Sequence, residues 1–190
     1  MKNQKLADVR GEDKHLQERL VAGDESVMKE IYNKYSGPLF HFARNYLSDL
    51  NDASDIVHET MMVLWQKAES FEGRSSLKSW MFSIARNKSI DRNRKGGRMY
   101  YTDEVPDVED TGALSDAAIE LSEDADLVRK CVEDLAPAYR RVIHLIFFQG
   151  MSYREVADLE DLPLGTVKTR VLHAKRKLAH LLAQKGRDRF

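Results

Sequence analysis

The sequence predicts an all-α protein made of two small helical domains joined by an acidic, flexible linker. The chain has 190 residues, of which 42% are hydrophobic, enough to form packed cores. Charged residues make up 32%, whereas Gly and Pro number only 10 and 4, a balance typical of long helices with few breaks. Apolar residues also recur at three- and four-residue spacing through most of the chain, which is the period of an amphipathic helix.

The first domain is predicted over residues 13–98, with four helices around one core. Its first helix carries Leu20 and ends at Gly23, and Asp24 is placed to cap the second helix. Because proline lacks an amide hydrogen, Pro38 is predicted to kink or restart that second helix.

The third and fourth helices of this domain show clear buried stripes. The third is expected from Asp52 to about Lys67, and Ser75 or Ser76 is expected to cap the fourth. The residues predicted to face the core are Ala53, Ile56, Val57, Thr60, Met61 and Leu64 in the third helix and Leu77, Trp80, Met81, Ile84 and Ala85 in the fourth.

Residues 99–123 are predicted to form a linker, because the segment is rich in Asp and Glu, contains Pro106 and Gly112, and has too few large apolar residues to order itself. A second helical domain is predicted over residues 124–184. Within it, Pro137 is expected to open one helix and Gly150 to end it.

The second domain is predicted to contain a helix-turn-helix. Ser152 and Glu155 have the spacing of a capping box, which fixes the start of a short helix. A turn around Glu160 and Asp161 follows, and Pro163 stands at the start of the next helix.

The last helix of this motif is predicted to bind DNA. Its apolar residues, from Val167 to Leu181, follow four-three-four-three spacing and turn toward the core. A solvated basic face on a terminal helix is the simpler interpretation, but the capping box and the turn favour a helix that enters the major groove. The residues expected on its open side are Lys168, Thr169, Arg170, His173, Lys175, Arg176 and Lys177.

The charge is unevenly distributed around a formal net charge of −1. Basic residues cluster at 86–98 and 168–189, and the segment between Thr102 and Val128 contains no Lys or Arg. In the first basic block, the candidates to bind phosphates are Arg86, Asn87, Lys88, Arg92 and Arg94. Phe71, Trp80 and Phe82 are close enough in sequence for one or more to receive an unstacked base. The helical phase of Trp80 favours core packing, however, and the loop 72–76 is the better candidate for base capture.

Other classes of protein are disfavoured by the sequence. Cys131 is the single cysteine, and no Cys/His cluster has zinc-ligand spacing, so no disulfide, metal or cofactor is expected. No apolar run is long enough to span a bilayer, which leads us to expect a cytoplasmic protein without membrane insertion. An enzyme is the least expected class, because the six histidines are scattered and there is no phosphate loop or nucleophile elbow.

Three stretches of the chain together resemble the extracytoplasmic function (ECF) group of sigma factors in the sigma-70 superfamily. Residues 52–60 with Trp65 look like the group's segment for binding core RNA polymerase. Residues 71–80, followed by Ile84-Ala85-Arg86-Asn87 and Asp91-Arg92, look like its segment for melting and reading the minus-ten element. Residues 135–170 look like its domain for the minus-thirty-five element.

The resemblance implies a role for each set of residues in an alternative sigma factor that brings core polymerase to chosen promoters. The polymerase-binding residues would be Asp55, His58, Glu59, Met62 and Trp65. The minus-ten residues would be Arg74, Ser75, Ser76, Lys78, Arg86, Asn87, Arg92 and Arg94. The minus-thirty-five residues would be Thr166, Lys168, Thr169, Arg170, His173, Lys175 and Arg176. The resemblance also implies promoter DNA and an anti-sigma factor as partners.

The sequence departs from the family pattern at a few positions. His58 stands where Gln is common, His173 and Lys175 stand where Arg is usual, and Asp161 replaces the usual turn Gly.

The second hypothesis for the function is an ordinary transcription regulator with a helix-turn-helix, which leaves the motifs of residues 52–92 unexplained. The third is a structural adaptor, which the two basic blocks weaken.

Overall fold

The computed structural model describes residues 14–73, 75–95 and 125–187, and every regular element in these ranges is helical. Helix α1 covers residues 14–21 and is followed by α2 (Glu25–Ala43), α3 (Leu50–Gln66), a short 3-10 turn (Ala68–Ser70) and α4 (Leu77–Lys95). Then come α5 (Ala125–Glu133), α6 (Pro137–Ile143), a π-helical turn (His144–Phe148), α7 (Tyr153–Glu160) and α8 (Leu164–Arg187). The predicted all-α class is confirmed, while the predicted linker 99–123 lies outside the described residues.

Helices α2, α3 and α4 pack against one another and bury one apolar side each. The rings of Phe42 and Phe82 meet edge to face at the centre, with centroids 5.1 Å apart. Asp24 caps α2 by accepting from the amide of Ser26, and Ser76 accepts from the amide of Ser79 in the first turn of α4. Both predicted caps are therefore confirmed, with Ser76 as the cap of the fourth helix.

Of the two predicted effects of Pro38, a restart of the second helix is wrong, because α2 runs without a break from Glu25 to Ala43, whereas a kink stays a prediction. Proline inside a helix costs about 3 kcal/mol. Val27 and Ile31 before it and Leu39 and Phe42 after it are all buried in the same core. Burying each such side chain contributes about 2 kcal/mol, so packing on both sides of Pro38 offsets the lost backbone bond.

The second half is built around α8, which packs against α5, α6 and α7. Pro137 is the first residue of α6, as predicted, and Gly150 has φ of 64° after the π-helical turn. The capping box of α7 is complete, since Ser152 accepts from the amide of Glu155 at 3.2 Å and the Glu155 carboxylate accepts from the amide of Ser152 at 2.8 Å. Asp161 follows in the left-handed conformation expected of the turn, with φ of 55°.

The two halves pack against each other along α4 and α7. The larger of the two buried clusters joins residues of the first half, including Phe42 and Phe82, to residues of the second, including Leu145 and Val156. The smaller cluster lies among α5, α6 and α8 and includes Cys131, Tyr139, Ala174 and Leu178. The helix-turn-helix is therefore seated against the first domain.

Within the described ranges, no helix combines the length and the apolar character needed to cross a membrane.

Candidate functional site

The start of α8 presents the predicted DNA-binding side chains at the surface. Lys168 and Thr169 are exposed, and Thr169 donates its hydroxyl to the carbonyl of Gly165 at 3.0 Å. On the same helix Val167 and Val171 are buried. The remaining predicted contacts, which are partly exposed, are Thr166, His173, Lys175 and Arg176.

The prediction that Arg170 lies on the open side of α8 is wrong, because the residue is only 8% exposed. Position 170 is three residues after Val167 and four before Ala174, and both of these are fully buried. Helical geometry therefore turns Arg170 toward the same side as the core stripe. Counting the spacing from these two residues would have shown this from the sequence alone.

Helix α3 brings the predicted polymerase-binding residues to one side. Asp55, His58 and Met62 are spaced by three and four residues and are exposed, with 53% of Met62 accessible. The ring of His58 meets that of Tyr32 edge to face at 6.4 Å. Trp65 is partly buried and packs on the larger core. It therefore supports this side of α3 from beneath and contributes little to the exposed surface.

A cluster of ion pairs joins α3 to α4. The guanidinium of Arg92 lies 2.8 Å from Asp52 and 3.1 Å from Asp55, and it also contacts Glu59. The amine of Lys88 lies 2.7 Å from Glu59. We call these five residues the α3–α4 ion-pair cluster. It links two predicted polymerase-binding residues, Asp55 and Glu59, to a predicted minus-ten residue, Arg92.

The pKa values reflect the arrangement of this cluster. Hydrogen bonding to Lys88 lowers the pKa of the Glu59 carboxyl, and the charges of Lys88 and Arg92 act in the same direction. Hydrogen bonds to Asp52 and Asp55 raise the pKa of Arg92. Sequence reasoning assigned Arg92 to phosphate binding and missed Asp52 as its partner, because no spacing rule relates residues of two different helices.

The predicted minus-ten residues have different surroundings. Ser75, Asn87 and Arg94 are exposed, and Arg74 lies outside the described residues. Lys78 and Arg86 instead reach the second domain: the Lys78 amine donates to the carbonyl of Gln149, and the Arg86 guanidinium donates to the carbonyl of Glu160 at 2.9 Å. The structure therefore brings two predicted DNA contacts against the helix-turn-helix.

The three aromatic residues weighed as base partners are largely used in packing. Phe82 is fully buried and Phe71 is 7% exposed, so neither is available to a base in this arrangement. The ring of Trp80 packs on Phe71 with centroids 5.2 Å apart and remains only partly exposed. The interpretation of Trp80 as a core-packing residue is confirmed.

Glu160 is the centre of a polar contact between the domains that sequence reasoning missed. Its carboxylate accepts from the Tyr46 hydroxyl at 2.7 Å and from the Arg141 guanidinium at 3.0 Å, and Glu160 is only 5% exposed. The Arg141 guanidinium also lies over the Tyr46 ring, 4.8 Å from its centroid. Burial, followed by the charge of Glu160, raises the pKa of Tyr46. The one available signal was position 160, four residues after the buried Val156 and thus on the core side of α7.

Across the three described ranges, no group of three or more His, Cys, Asp or Glu side chains is arranged to hold a metal ion.

Comparison with known proteins agrees with the resemblance noted in the sequence. The Sigma-70 region 2 model matches residues 31–99, and the Sigma-70 region 4 model matches residues 125–178. The chain is 30% identical to the ECF RNA polymerase sigma factor RpoE of Cereibacter sphaeroides, covering 82% of this chain and 86% of that protein. It is 28% identical to the ECF RNA polymerase sigma factor SigW of Bacillus subtilis, covering 82% of this chain and 89% of that protein.

A solved structure extends the comparison to three dimensions. The sigma factor RpoE from Bartonella quintana, crystallised in complex with the anti-sigma factor NepR, superposes with a TM-score of 0.58 at 32% identity. The match covers 82% of this chain and 96% of that one.

Proteins of the sigma-70 family are transcription initiation factors and not enzymes. Two family models in the expected order, relatives of similar length and a shared helical fold agree, and the chain therefore belongs to the ECF sigma factors of the sigma-70 family.

Proposed function

We propose that this chain binds core RNA polymerase and directs initiation to promoters by reading a minus-thirty-five element through α8 and a minus-ten element through residues 74–94. The observation that carries the proposal is the start of α8, where Lys168 and Thr169 are exposed on a helix anchored by the buried Val167 and Val171. An α-helix fits the major groove, and Lys and Thr side chains donate to base edges and phosphates there.

The exposed side of α3 supports the polymerase contact. Met62 presents an exposed apolar side chain beside the charged Asp55, and Trp65 packs beneath the same side of the helix. An apolar side chain surrounded by polar groups is typical of a protein interface, in which a few central residues supply most of the binding free energy. We propose that Asp55, His58, Glu59, Met62 and Trp65 form or support this contact.

Reading the minus-ten element requires the domains to separate in this proposal. Lys78 and Arg86 donate to carbonyls of the second domain in the packed arrangement, so their side chains are engaged where DNA would lie. Each domain offers only a few phosphate contacts by itself. Mounted on one polymerase, the two act as a linked pair with a high effective concentration.

We also propose that an anti-sigma factor holds the chain inactive. A relative that is 32% identical was crystallised with the anti-sigma factor NepR. Polymerase and genomic DNA meet in the bacterial cytoplasm, and we propose that the protein acts there.

The polymerase contact is tested by Met62→Ala. If Met62 is a central contact, its loss costs about 1.4 kcal/mol or more, which is at least a tenfold weaker Kd for core polymerase by fluorescence anisotropy. The matched control is Val21→Ala, which also truncates an exposed apolar side chain, 46% accessible, on α1. Equal affinities for the two variants would contradict this use of α3.

The dependence on polymerase is tested by DNA binding of the free chain. Because the net charge is −1 and each domain contributes few contacts, we expect weak promoter binding alone and specific binding only with core enzyme. A gel-shift assay that shows tight, specific binding of promoter DNA by the free chain would contradict this part of the proposal.

A further inference from the structure

A cavity of about 300 Å³ lies between the two domains, away from α3, α4 and the start of α8. One side is formed by the end of α2 and the loop after it, through Arg44. The other side is formed by α5, α6 and the π-helical turn, through Arg129, Arg140 and Phe148. Its size is at the lower end of the range of small-molecule sites.

The charge lining this cavity is strongly unbalanced. Three guanidinium groups, those of Arg44, Arg129 and Arg140, face a single carboxylate, that of Glu133. Arg129 also lies 3.6 Å from Asp126, but that pair is highly exposed and binds weakly. An excess of positive charge in a concave site attracts anions, because the low-dielectric walls weaken screening.

The protein satisfies the guanidinium group of Arg140 only in part. One of its terminal nitrogens donates to the carbonyl of Leu135 at 2.9 Å, while its Nε is buried without a hydrogen-bond partner. Burial lowers the pKa of Arg140, attraction to Glu133 and Asp134 raises it, and repulsion from Arg44 adds to the lowering. A bound anion would relieve that repulsion and supply acceptors to both guanidinium groups.

One wall of the cavity is formed by the aromatic rings of His144 and Phe148. The imidazole of His144 stacks on the ring of Phe148, with centroids 5.9 Å apart and planes 24° apart. Burial lowers the pKa of His144 to about 4, so this ring is neutral at neutral pH. The wall is therefore flat and uncharged, and the guanidinium groups that line the same cavity are suited to the paired oxygens of phosphates.

From this geometry we infer that the cavity is a binding site for a small oligophosphate anion, either an inorganic oligophosphate or the phosphate chain of a nucleotide. Arg44 belongs to the first domain, and Arg129 and Arg140 belong to the second. An occupant that contacts both sides therefore stabilises the packed arrangement of the domains.

The test is isothermal titration of the full chain, at physiological ionic strength, with inorganic tripolyphosphate, ATP and citrate. Because a charged hydrogen bond contributes about 1.5–3 kcal/mol, Arg44→Ala and Arg129→Ala should each weaken tripolyphosphate binding by about tenfold or more. Arg154→Ala is the matched control, since it removes an exposed arginine of the second domain that does not line the cavity. We expect it to change the affinity less than about twofold.

The arms of this experiment separate the possible outcomes. Tighter binding of ATP than of tripolyphosphate points to a nucleotide, whose base occupies the aromatic wall. Equal or tighter binding of tripolyphosphate points to an inorganic occupant. Absence of binding, equal loss in Arg154→Ala, or citrate binding as tight as tripolyphosphate would each overturn the inference. Circular dichroism of the variants confirms that they are folded, which is expected because Arg44 and Arg129 are exposed.

Discussion

Glu160 forms a buried ion pair with Arg141 and a hydrogen bond to the other domain. Its side chain and that of Arg141 are 2% and 6% exposed, so the pair is almost free of water. Removing one partner of a buried pair leaves the other charge uncompensated, whereas deleting a neutral hydrogen-bond donor costs much less. Tyr46 is such a donor, and it comes from the other domain.

We therefore expect Glu160→Gln to lower the free energy of unfolding by about 3 kcal/mol and Tyr46→Phe to lower it by about 1 kcal/mol. Urea unfolding followed by circular dichroism measures both values. Tyr46→Phe serves as the comparison, because it removes only the contact between domains. A loss in Glu160→Gln no larger than that in Tyr46→Phe would show that the buried charge pair does not stabilise this structure.

His144 makes the stability depend on pH. Burial, with repulsion from His41, lowers its pKa from 6.5 to about 4 in the folded chain. The unfolded chain then binds the proton more readily between these values, so this residue lowers stability as the pH falls from about 6.5 to about 4. Between pH 7 and pH 5 the effect amounts to at most about 2 kcal/mol.

We expect His144→Gln to lose less unfolding free energy between pH 7 and pH 5 than the wild-type chain, by up to about 2 kcal/mol. His15→Gln is the control, because His15 is exposed on α1 and does not act on the pKa of His144. Urea unfolding at the two pH values gives the comparison, in which the titration of the carboxylates is common to all three proteins. The same pH dependence in wild type and His144→Gln would contradict the assignment.

At the scale of elements, local sequence rules predicted the starts and ends of helices well. The caps at Asp24 and Ser76, the capping box at Ser152 and the left-handed Asp161 depend on bonds within a few residues, which spacing alone reveals. The rules failed at Arg170 and in the predicted restart of α2 at Pro38. Tertiary packing outweighed local propensity at Pro38, and the position of Arg170 followed the buried stripe of α8.

The capping box fixes the start of α7, the first helix of the predicted helix-turn-helix. Ser152→Ala removes the acceptor for the amide of Glu155, and we expect a loss of about 1 kcal/mol of unfolding free energy. Ser54→Ala, an exposed serine within α3, is the control and should cost nothing measurable. The difference is read from the midpoints of urea unfolding, provided that the unfolding free energy of each variant depends equally on urea concentration. Equal midpoints for the two variants would contradict a stabilising capping box.

At the scale of the whole molecule, the family and the all-α class could be predicted, but the packing of the domains could not. Tyr46 and Glu160 are 114 positions apart, and Arg86 and Glu160 are 74 apart. No periodicity or spacing rule relates residues at such distances. The same limit applies to the α3–α4 ion-pair cluster, in which Arg92 meets carboxylates from another helix.

The packed arrangement and the proposed function concern the same residues. Lys78 and Arg86 contact the second domain when the chain is closed, and we propose that they contact the minus-ten strand when it is open. In this proposal, the free energy of the contact between domains opposes promoter binding, and interactions with polymerase compensate for it.

Mapping of transcript start sites tests the central claim most directly. The purified chain is added to core polymerase on genomic DNA, and the sequences upstream of the new starts are aligned. We predict two enriched elements at a constant spacing, with Lys168→Ala altering only the upstream element and Lys130→Ala, an exposed lysine on α5, altering neither. Starts that do not depend on the added chain, or starts that share no upstream elements, would contradict the account.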